Sequence, residues 1–375
     1  MKLIIAGGGT GGHLFPGIAV AEEFLSRDPA NEVLFVGTDR GIEARAVPAA
    51  GYPLELISAA GIRGKWTFSQ ITGAVKMVYG YAQSRKILKR YRPDMVLGVG
   101  GYASLPMVLA ARGMRIPRFI HEQNAIPGRT NRLLARFADK VFITLEESAR
   151  YFPAATTMLT GNPLRRQILD MIGSGVKGQG SSDNPVGLPL PLAPCPCFHL
   201  FIFGGSQGAH AINAAMIDAL PLLKENRIKL AITHQTGEKE HAEVMAAYRA
   251  AGVEAEVTPF IANMAAEYAK ADLIICRAGA TTIAEVTACA KACLFIPFPH
   301  AVDDHQRRNA EALLKKDACF MMLERELTGK TLAESICTLA DNPVLVLHTG
   351  DLAFSLARLD AAKIIVDEMV ETVSS

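Results

Sequence analysis

Two stretches decide the fold: residues 3–13 read LIIAGGGTGGH, and residues 200–209 read LFIFGGSQGA. In each, a short apolar run typical of a buried strand passes directly into a glycine-rich turn. Glycines at such a turn let backbone N–H groups approach an anionic or polar ligand at the N-terminus of the next helix, whose dipole favours negative charge. Both halves of the chain therefore begin with the same pattern of a strand followed by a glycine turn, and we expect a ligand cleft between two domains.

Further apolar runs alternate with helical patterns in both halves of the chain. The predicted strands lie at 33–36, 95–99, 118–121 and 141–144 in the first half, and at 230–234, 273–276 and 294–297 in the second. Strands separated by helices favour parallel sheets that are covered on both faces. The predicted fold class is therefore α/β, with two doubly wound, Rossmann-like domains.

The length of 375 residues suits two domains of about 150–180 residues each. We place the first domain at 1–163 and the second at 164–350. The stretch 173–197 is rich in glycine and proline and is predicted to be a flexible insertion in the second domain. The end of the chain, 351–373, has apolar residues at helical spacing, so we expect a helix there that packs back on the first domain.

Composition bounds the class of protein. Half of the residues are hydrophobic, 20% are charged and the formal net charge is +2, as in an ordinary globular protein. No signal peptide and no apolar run of transmembrane length is found, so we expect a cytosolic or peripheral protein. The seven cysteines are predicted to be free thiols. Cys195 and Cys197 beside His199 lack a second ligand pair, so we expect no metal there. We also expect no cofactor and no nucleic-acid partner.

One local charge imbalance is large. Between Leu56 and Pro93 there are eight basic residues and no acidic one. If 67–90 is helical, one stripe faces the core and another face carries apolar residues beside lysines, which suggests docking to an anionic membrane surface. The alternative is a solvated charged face whose apolar residues cover a neighbouring loop. The predicted core stripe is Ile71, Val75, Val78 and Ala82, and the predicted docking residues are Lys65, Trp66, Lys76, Met77 and Tyr81.

The first glycine turn could bind a nicotinamide dinucleotide, or it could be a tight strand-to-helix turn without a ligand. Gly7, Gly9 and Gly12 satisfy GxGxxG, and Asp39 lies near the end of the second strand, as in nicotinamide-binding domains. That interpretation accounts for neither the second glycine loop nor His13. His13 begins the helix after the turn, where the helix dipole favours the neutral, base-competent imidazole. The alternative is a histidine that only forms structural hydrogen bonds.

Other polar groups also follow predicted strands. Residues 121–124 read HEQN after one strand, and residues 98–104 form another glycine-rich turn. In the second half, Glu285 lies one turn into the helix that follows the 273–276 strand. Its carboxylate either offsets the helix dipole or accepts both hydroxyls of a ribose. Asp303 and Asp304 lie beside basic residues, which favours helix capping over metal binding.

Seven motifs in order carry a resemblance to a known family. They are GGTGGH at 8–13, GVGGYAS at 98–104, HEQN at 121–124, GNPLR at 161–165, GGSQGA at 204–209, RAGATTIAE at 277–285 and DDHQRRNA at 303–310. The sequence closely resembles the MurG family of bacterial N-acetylglucosaminyltransferases, which make lipid II from lipid I. The resemblance implies the GT-B fold, an inverting transfer and no required metal. Leu105 before Pro106, and the length of the 173–196 stretch, depart from the family pattern.

The resemblance also implies the site. UDP-N-acetylglucosamine would be the donor, and undecaprenyl-pyrophosphoryl-N-acetylmuramoyl-pentapeptide (lipid I) the acceptor, at the cytoplasmic face of the plasma (inner) membrane. His13 is the favoured base, with Glu122 in reserve. His13 could instead contact phosphate. Glu285 would bind the ribose, the backbone of Ile261 the uracil, and Asn124 and Gln306 the sugar. The implied donor residues are Thr10, Gly11, Gly12, Asn124, Arg165, Ser206, Ile261, Ala280, Thr281, Thr282, Ile283, Ala284, Glu285 and Gln306.

Three other functions stay open on the sequence. A related transferase could glycosylate another lipid, such as diacylglycerol, through the same donor site. A nicotinamide-dependent oxidoreductase would use the first glycine turn. A two-lobed binding protein would bind the nucleotide sugar without chemistry.

Overall fold

The computed structural model describes residues 1–39, 41–59, 68–177, 197–205, 207–226 and 228–374, with the side chains of 68–74, 174–177 and 302 outside that description. Lys65, Trp66, Ser206 and most of the predicted insertion 173–197 also lie outside the described residues. The chain forms two compact units, Met1–Arg165 with Arg358–Ser375, and Arg166–Ala357. The division after Arg165 falls two residues beyond the boundary placed from the sequence.

The first unit contains a seven-stranded parallel sheet of order β3-β2-β1-β4-β5-β6-β7. Leu3 and Ile5 face one buried cluster, whereas Ile4 and Ala6 face the other. Because both faces are covered, the strands are continuous apolar runs. The strands are β1 Lys2–Gly7, β2 Glu32–Gly37, β3 Leu54–Leu56, β4 Met95–Gly100, β5 Arg118–Glu122, β6 Lys140–Ile143 and β7 Thr157–Leu159; the helices are α1 Gly11–Arg27, α2 Glu43–Ala49, α3 Phe68–Tyr91, α4 Ser104–Gly113 and α5 Arg129–Leu134.

The second unit contains a six-stranded parallel sheet of order β10-β9-β8-β11-β12-β13. Its strands are β8 Phe198–Phe203, β9 Leu230–Gln235, β10 Glu256–Thr258, β11 Leu273–Cys276, β12 Ala292–Phe295 and β13 Phe320–Met321; its helices are α6 Arg166–Lys177, α7 His210–Glu225, α8 His241–Ala251, α9 Met264–Lys270, α10 Ala280–Ala288, α11 His305–Leu314, α12 Gly329–Ala340 and α13 Pro343–Ser355. Two doubly wound parallel sheets confirm the predicted fold class.

Both sheets place a glycine loop at the same topological position. Strand order reverses between β1 and β4 in the first sheet, and between β8 and β11 in the second. In open α/β sheets, ligands bind beyond the carboxyl ends of the strands at such a switch point. The glycine loops at 7–12 and 204–209 follow β1 and β8, so each unit has its loop at its switch point.

The C-terminal prediction is wrong in one respect. The segment 351–373 is not one helix, because α13 ends at Ser355 and a last helix, α14, covers Ala361–Ser374. Val346 and Ala353 are buried in the second unit, whereas Ile365, Val366 and Met369 join the core of the first. The apolar residues of α13 and α14 belong to different cores, so the helix is interrupted between them. Arg27 on α1 also pairs with Asp367, at 2.8 Å.

The prediction for the faces of α3 is also wrong. Val75, Val78 and Tyr79 are 63%, 71% and 59% exposed, and Ala82 is exposed too. Tyr81 instead packs on the core of the first unit, and Met77 is half-buried, so neither belongs to an exposed docking face. The buried side combines the small residues Gly80 and Ser84 with the apolar Ile87 and Leu88. A Cβ on Gly80 would come within 2.1 Å of the Ser58 carbonyl oxygen, and Ser84 is fully buried and donates to the Gly80 carbonyl. The buried face is therefore offset from the predicted stripe, and the close approach at Gly80 contributes to that choice.

Within the ranges described above, no helix is both long enough and apolar enough to cross a bilayer.

Candidate active site

The first glycine loop is occupied by a carboxylate of the same chain. Glu43, at the start of α2, is 1% exposed and accepts hydrogen bonds from Gly9 N at 2.7 Å and from the Thr38 backbone and hydroxyl at 3.0 and 2.9 Å. Gly8 leaves the room that this side chain fills, since a Cβ there would lie 2.4 Å from the Glu43 carboxyl carbon. A dinucleotide pyrophosphate needs these N–H groups and would meet a buried negative charge. The geometry therefore argues against a nicotinamide site in this loop.

His13 lies on the first turn of α1 and contacts the HEQN segment. Its Nδ1 is 2.8 Å from Gln123 Oε1, and its backbone N–H donates to the Thr10 carbonyl at 3.2 Å. The ring is packed against β4, where a Cβ on Gly100 would lie 2.7 Å from Nδ1. The imidazole is thus held through Nδ1, and Nε2 is the ring nitrogen on the other side.

Glu122 does not fit its reserve role as a base. It is 1% exposed, and its two oxygens accept four hydrogen bonds. The donors are the backbone and side-chain amides of Asn124 at 3.0 and 3.2 Å, Gly128 N at 3.2 Å and Asn131 Nδ2 at 2.9 Å. A carboxylate with this many partners has no lone pair directed at a substrate. Its role in the structure is to orient Asn124 and the loop up to α5.

We expect Glu122→Gln to reduce stability rather than to remove a base. The new amide would direct an NH₂ group at two donors, and each buried group left without a partner costs about 1–3 kcal/mol. Thermal unfolding should show a lower melting temperature, and the donor KM should rise because Asn124 is released. A variant with unchanged melting temperature but an altered pH profile of kcat would restore Glu122 as a base.

Arg165 lies in the first unit, not in the second domain to which the sequence assigned it. Its guanidinium carbon lies over the Phe15 ring on α1, 5.4 Å from the centroid. Phe15 in turn lies against Gly11, where a Cβ would meet the ring at 2.9 Å. Gly161, at the start of the GNPLR segment, has φ +86° and accepts a hydrogen bond from His121 Nε2 at 3.2 Å. The segment carrying Arg165 is thereby fixed beside the N-terminus of α1.

The second glycine loop is held by neutral groups. Gly208 N and Gln235 Nε2 both donate to the Gly205 carbonyl, each at 2.9 Å. Gly208 has φ +76°, and a Cβ there would lie 1.9 Å from the Thr236 carbonyl oxygen, so only glycine fits. The described hydrogen bonds at this loop involve no carboxylate, unlike those at the first loop. The second loop is therefore the better place for a diphosphate.

Gln235 also reaches the segment assigned to the uracil. Its Oε1 accepts from Ile261 N at 3.3 Å, while its Nε2 donates to the glycine loop. The residue is 3% exposed at the end of β9. One buried amide thus links the loop assigned to the diphosphate with the backbone assigned to the base.

Glu285 is 2% exposed on α10, so its carboxylate is buried and does not lie at the protein surface. Its Oε2 accepts a hydrogen bond from Tyr268 OH at 3.1 Å. Tyr268 is itself 1% exposed and packs edge-on against Phe201 and Phe203. A buried carboxylate fixed by a rigid phenol is suited to accept two adjacent hydroxyls. The preceding residues Ala280, Thr281, Thr282, Ile283 and Ala284 form the first turns of the same helix.

Gln306 is anchored through its carbonyl group, because Oε1 accepts from Phe298 N at 2.9 Å. It follows Asp303 and Asp304, which have φ +53° and +54°. Aspartate tolerates this left-handed region better than most residues, and the pair turns the chain into α11. Arg277 holds the end of β12, because it donates to the Ile296 carbonyl at 3.1 Å and pairs with Glu324 at 2.5 Å.

The structure thus divides the described site residues between the two units. Sequence reasoning missed Glu43, Gln123, Gln235 and Tyr268. Gln123 was visible within HEQN but carried no role, and Glu43 lies two residues after Gly41, beyond the end of β2. No sequence signal distinguished Tyr268 or Gln235 from ordinary core residues.

Comparisons with known proteins agree with this geometry. The profile of the glycosyltransferase family 28 N-terminal domain matches residues 3–143, and that of the glycosyltransferase family 28 C-terminal domain matches residues 199–354. A UDP-N-acetylglucosamine–N-acetylmuramyl-(pentapeptide) pyrophosphoryl-undecaprenol N-acetylglucosamine transferase of Pelobacter propionicus is 70% identical, covering 99% of each chain. The enzyme of the same name from Geobacter sulfurreducens is 62% identical over 99% of this chain and 98% of its own.

Solved structures agree as well. A crystal structure of Acinetobacter baumannii MurG matches with a TM-score of 0.77 and 32% identity, covering 99% of each chain. A UDP-GlcNAc 2-epimerase from Neisseria meningitidis matches with a TM-score of 0.66 and 14% identity over 99% of this chain and 100% of its own, which shows a shared fold only. The chain therefore belongs to glycosyltransferase family 28 and, within it, to the MurG N-acetylglucosaminyltransferases.

Proposed function

We propose that this chain transfers N-acetylglucosamine from UDP-N-acetylglucosamine to the 4-hydroxyl of N-acetylmuramoyl-(pentapeptide)-pyrophosphoryl-undecaprenol, the lipid I to lipid II step of peptidoglycan synthesis. The observation that carries the proposal is 70% identity, over 99% of both chains, to an enzyme named for this transfer. The buried acid of α10 and the neutral second glycine loop support the donor half of the assignment.

The proposed reaction is a direct displacement that inverts the anomeric centre. The acceptor oxygen attacks the anomeric carbon of the donor while the bond from that carbon to the UDP oxygen breaks, and UDP leaves from the opposite face. His13 takes the proton of the attacking hydroxyl. Its Nδ1 is bonded to Gln123, so Nε2 is the atom that would receive this proton.

We assign the donor to residues of both units. Glu285 accepts the ribose hydroxyls, the backbone of Ile261 meets the uracil, and Asn124 and Gln306 meet the sugar. The second glycine loop, the dipole of α7 and Arg165 stabilise the charge that develops on the departing diphosphate. The remaining assigned residues are Thr10, Gly11, Gly12, Ser206, Ala280, Thr281, Thr282, Ile283 and Ala284.

Other functions are less well supported. A diacylglycerol transferase would need relatives of that name at comparable identity, whereas eight relatives at 56–70% identity have the name given above. A nicotinamide enzyme conflicts with the Glu43 carboxylate in the first loop. A binding protein without chemistry would release no nucleotide when donor and lipid acceptor are mixed.

A transfer assay tests the proposal. Purified protein is incubated with radiolabelled UDP-N-acetylglucosamine and lipid I, with diacylglycerol as the competing acceptor. We expect label in a β-linked disaccharide lipid and one UDP released per transfer. Label in the glycolipid of diacylglycerol alone, or no release of UDP, would refute the assignment.

We further propose that the exposed face of α3 docks on an anionic membrane surface, with the protein peripheral at the cytoplasmic face of the inner membrane. The apolar part is Val75, Val78 and Tyr79, in place of the predicted Met77 and Tyr81. Trp66 lies outside the described residues. Lys76, Arg85 and Lys86 are exposed on the same helix. A lipid-linked acceptor must be met at the bilayer, and an apolar strip among basic residues suits that surface.

Charge reversal of this face should weaken membrane binding. A basic residue near anionic lipid contributes about 1 kcal/mol, so replacing two lysines by glutamates should lower partitioning by at least about 10-fold. We expect Lys76→Glu with Lys86→Glu to reduce sedimentation with phosphatidylglycerol vesicles and to slow transfer to a long-chain acceptor, while sparing a soluble short-chain one. The matched control is Lys315→Glu with Lys316→Glu in the second unit, where both lysines are also exposed. Equal losses in both double variants would contradict docking through α3.

A further inference from the structure

Gln123 is 1% exposed and forms hydrogen bonds on both sides of its amide group. Its Nε2 donates to the Val99 carbonyl at 3.0 Å and lies 3.1 Å from His121 Nδ1. Its Oε1 lies 2.8 Å from His13 Nδ1. These contacts connect α1, the end of β4 and the end of β5 through one buried side chain.

The orientation of this amide follows from its partners. A backbone carbonyl only accepts hydrogen bonds, so the group of Gln123 that faces Val99 O must be the NH₂. The carbonyl oxygen of Gln123 then faces His13, and an oxygen that only accepts requires a proton on His13 Nδ1. In the neutral imidazole, the other nitrogen, Nε2, has the lone pair.

His121 fits the same pattern. Burial lowers the pKa of His121 to about 4, so the ring is neutral at pH 7. Its Nδ1 accepts from Gln123, and its Nε2 is 3.2 Å from the Gly161 carbonyl, which requires the proton on Nε2. The protons along Gly161, His121, Gln123 and His13 are therefore mutually consistent in one arrangement only.

We propose that Gln123 is a positioning residue that holds His13 in the Nδ1–H tautomer, with the Nε2 lone pair available to the acceptor hydroxyl. The inference deepens the proposed function and rests on His13 as its base. In the transfer, the hydroxyl proton moves to His13 Nε2 and the oxygen bonds to the anomeric carbon. The electron pair of the broken bond leaves with UDP. The Nδ1–H bond to Gln123 is kept throughout.

A neutral partner suits this task. A carboxylate at position 123 would also accept from Nδ1, but its charge would favour the imidazolium, which cannot act as a base. An amide fixes the tautomer without that effect. Of the neighbouring ionisable groups, His121 is neutral, Glu43 accepts a hydrogen bond from Gly9 N of the first glycine loop, and Glu122 accepts one from Asn124 N. Gln123 is therefore the group that touches the ring and sets its tautomer.

The tautomer can be measured directly. The protein is labelled with ¹⁵N-histidine, and two-bond ¹H–¹⁵N correlations are recorded, with His13 assigned by comparison with His13→Gln. We expect Nδ1–H at His13 in the unchanged protein. In Gln123→Met we expect the Nε2–H tautomer of His13 to appear. We expect kcat to fall at least about 10-fold, which approaches the loss caused by removing a general base. The Kd for UDP should be unchanged.

The control is Gln83→Met. Gln83 accepts one hydrogen bond from Ser58 N, at 2.7 Å, so the same substitution removes a glutamine amide outside this network. It should leave the His13 tautomer and kcat unchanged. Persistence of Nδ1–H in Gln123→Met, or an Nε2–H tautomer in the unchanged protein, would overturn the proposal.

A second variant covers the case in which Gln123→Met folds poorly. Gln123→Glu keeps an acceptor at His13, so the Nδ1–H tautomer should remain, while the acidic limb of kcat/KM should move about 1 pH unit or more to higher pH. An unmoved limb with reduced kcat would mean that Gln123 is only structural. The spectra need no acceptor, so a failure of the lipid I assignment would leave this test intact. Conversely, an active His13→Ala variant would refute the assignment of His13 as the general base, while the measured tautomer of His13 would remain valid.

Discussion

Replacing His13 by alanine is expected to lower kcat at least about 100-fold, because a positioned general base contributes about 100- to 10,000-fold. The Kd for UDP should change little, because the His13 ring is hydrogen-bonded to Gln123 and is not one of the residues assigned to the nucleotide. Steady-state kinetics with lipid I and calorimetry with UDP measure the two quantities. A loss that falls on kcat alone is the signature of an interaction made in the transition state.

The pH profile provides a second measurement. A neutral imidazole acts as the base, so kcat of the unchanged enzyme should fall as the pH is lowered, and His13→Ala should lose this acidic limb. The matched control is His348→Ala, since His348 is exposed on α13 of the second unit. If donor affinity falls as much as turnover, His13 is a phosphate contact and the base must be sought elsewhere.

Replacing Glu285 by alanine should weaken UDP binding at least about 100-fold, with folding preserved. A hydrogen bond to a charged group is worth about 1.5–3 kcal/mol, and two ribose hydroxyls would lose their acceptor. Glu285 is 2% exposed, so water cannot easily take the place of the lost carboxylate. Calorimetry with UDP, and with 2′-deoxy-UDP, measures the effect. Because the deoxy nucleotide lacks one of the hydroxyls, its affinity should fall less.

Two further variants sharpen that test. Glu285→Gln keeps the shape but removes the charge, so its loss should be intermediate. Tyr268→Phe removes the hydroxyl that donates to Glu285 Oε2 and should weaken UDP by a smaller factor. Equal losses for UDP and 2′-deoxy-UDP in Glu285→Ala would show that the carboxylate does not bind the ribose, and unchanged affinity would remove Glu285 from the donor site.

The long central strands could be predicted from sequence, because burial on both faces makes each one a continuous apolar run. The edge strands β3, β7, β10 and β13 could not. They contain two or three residues each, mostly half-buried or exposed, so their apolar signal is too short to distinguish from a loop. The glycine loops were predictable because positive φ, as at Gly208, leaves few alternatives to glycine.

The sequence by itself determined the two α/β halves, their glycine loops at the strand ends and the candidate residues His13, Asn124 and Glu285. Only the tertiary structure decided which face of α3 is exposed, that Glu122 is saturated by four donors and that Gln123 joins His13 to His121. The physical reason is the range of the signals. Periodicity and glycine turns are written in neighbouring residues, whereas a hydrogen bond between residues 13 and 123, or a close approach of Gly80 to Ser58, depends on where distant segments meet. Donor and acceptor directions decide function at the site, and they exist only once the chain is folded.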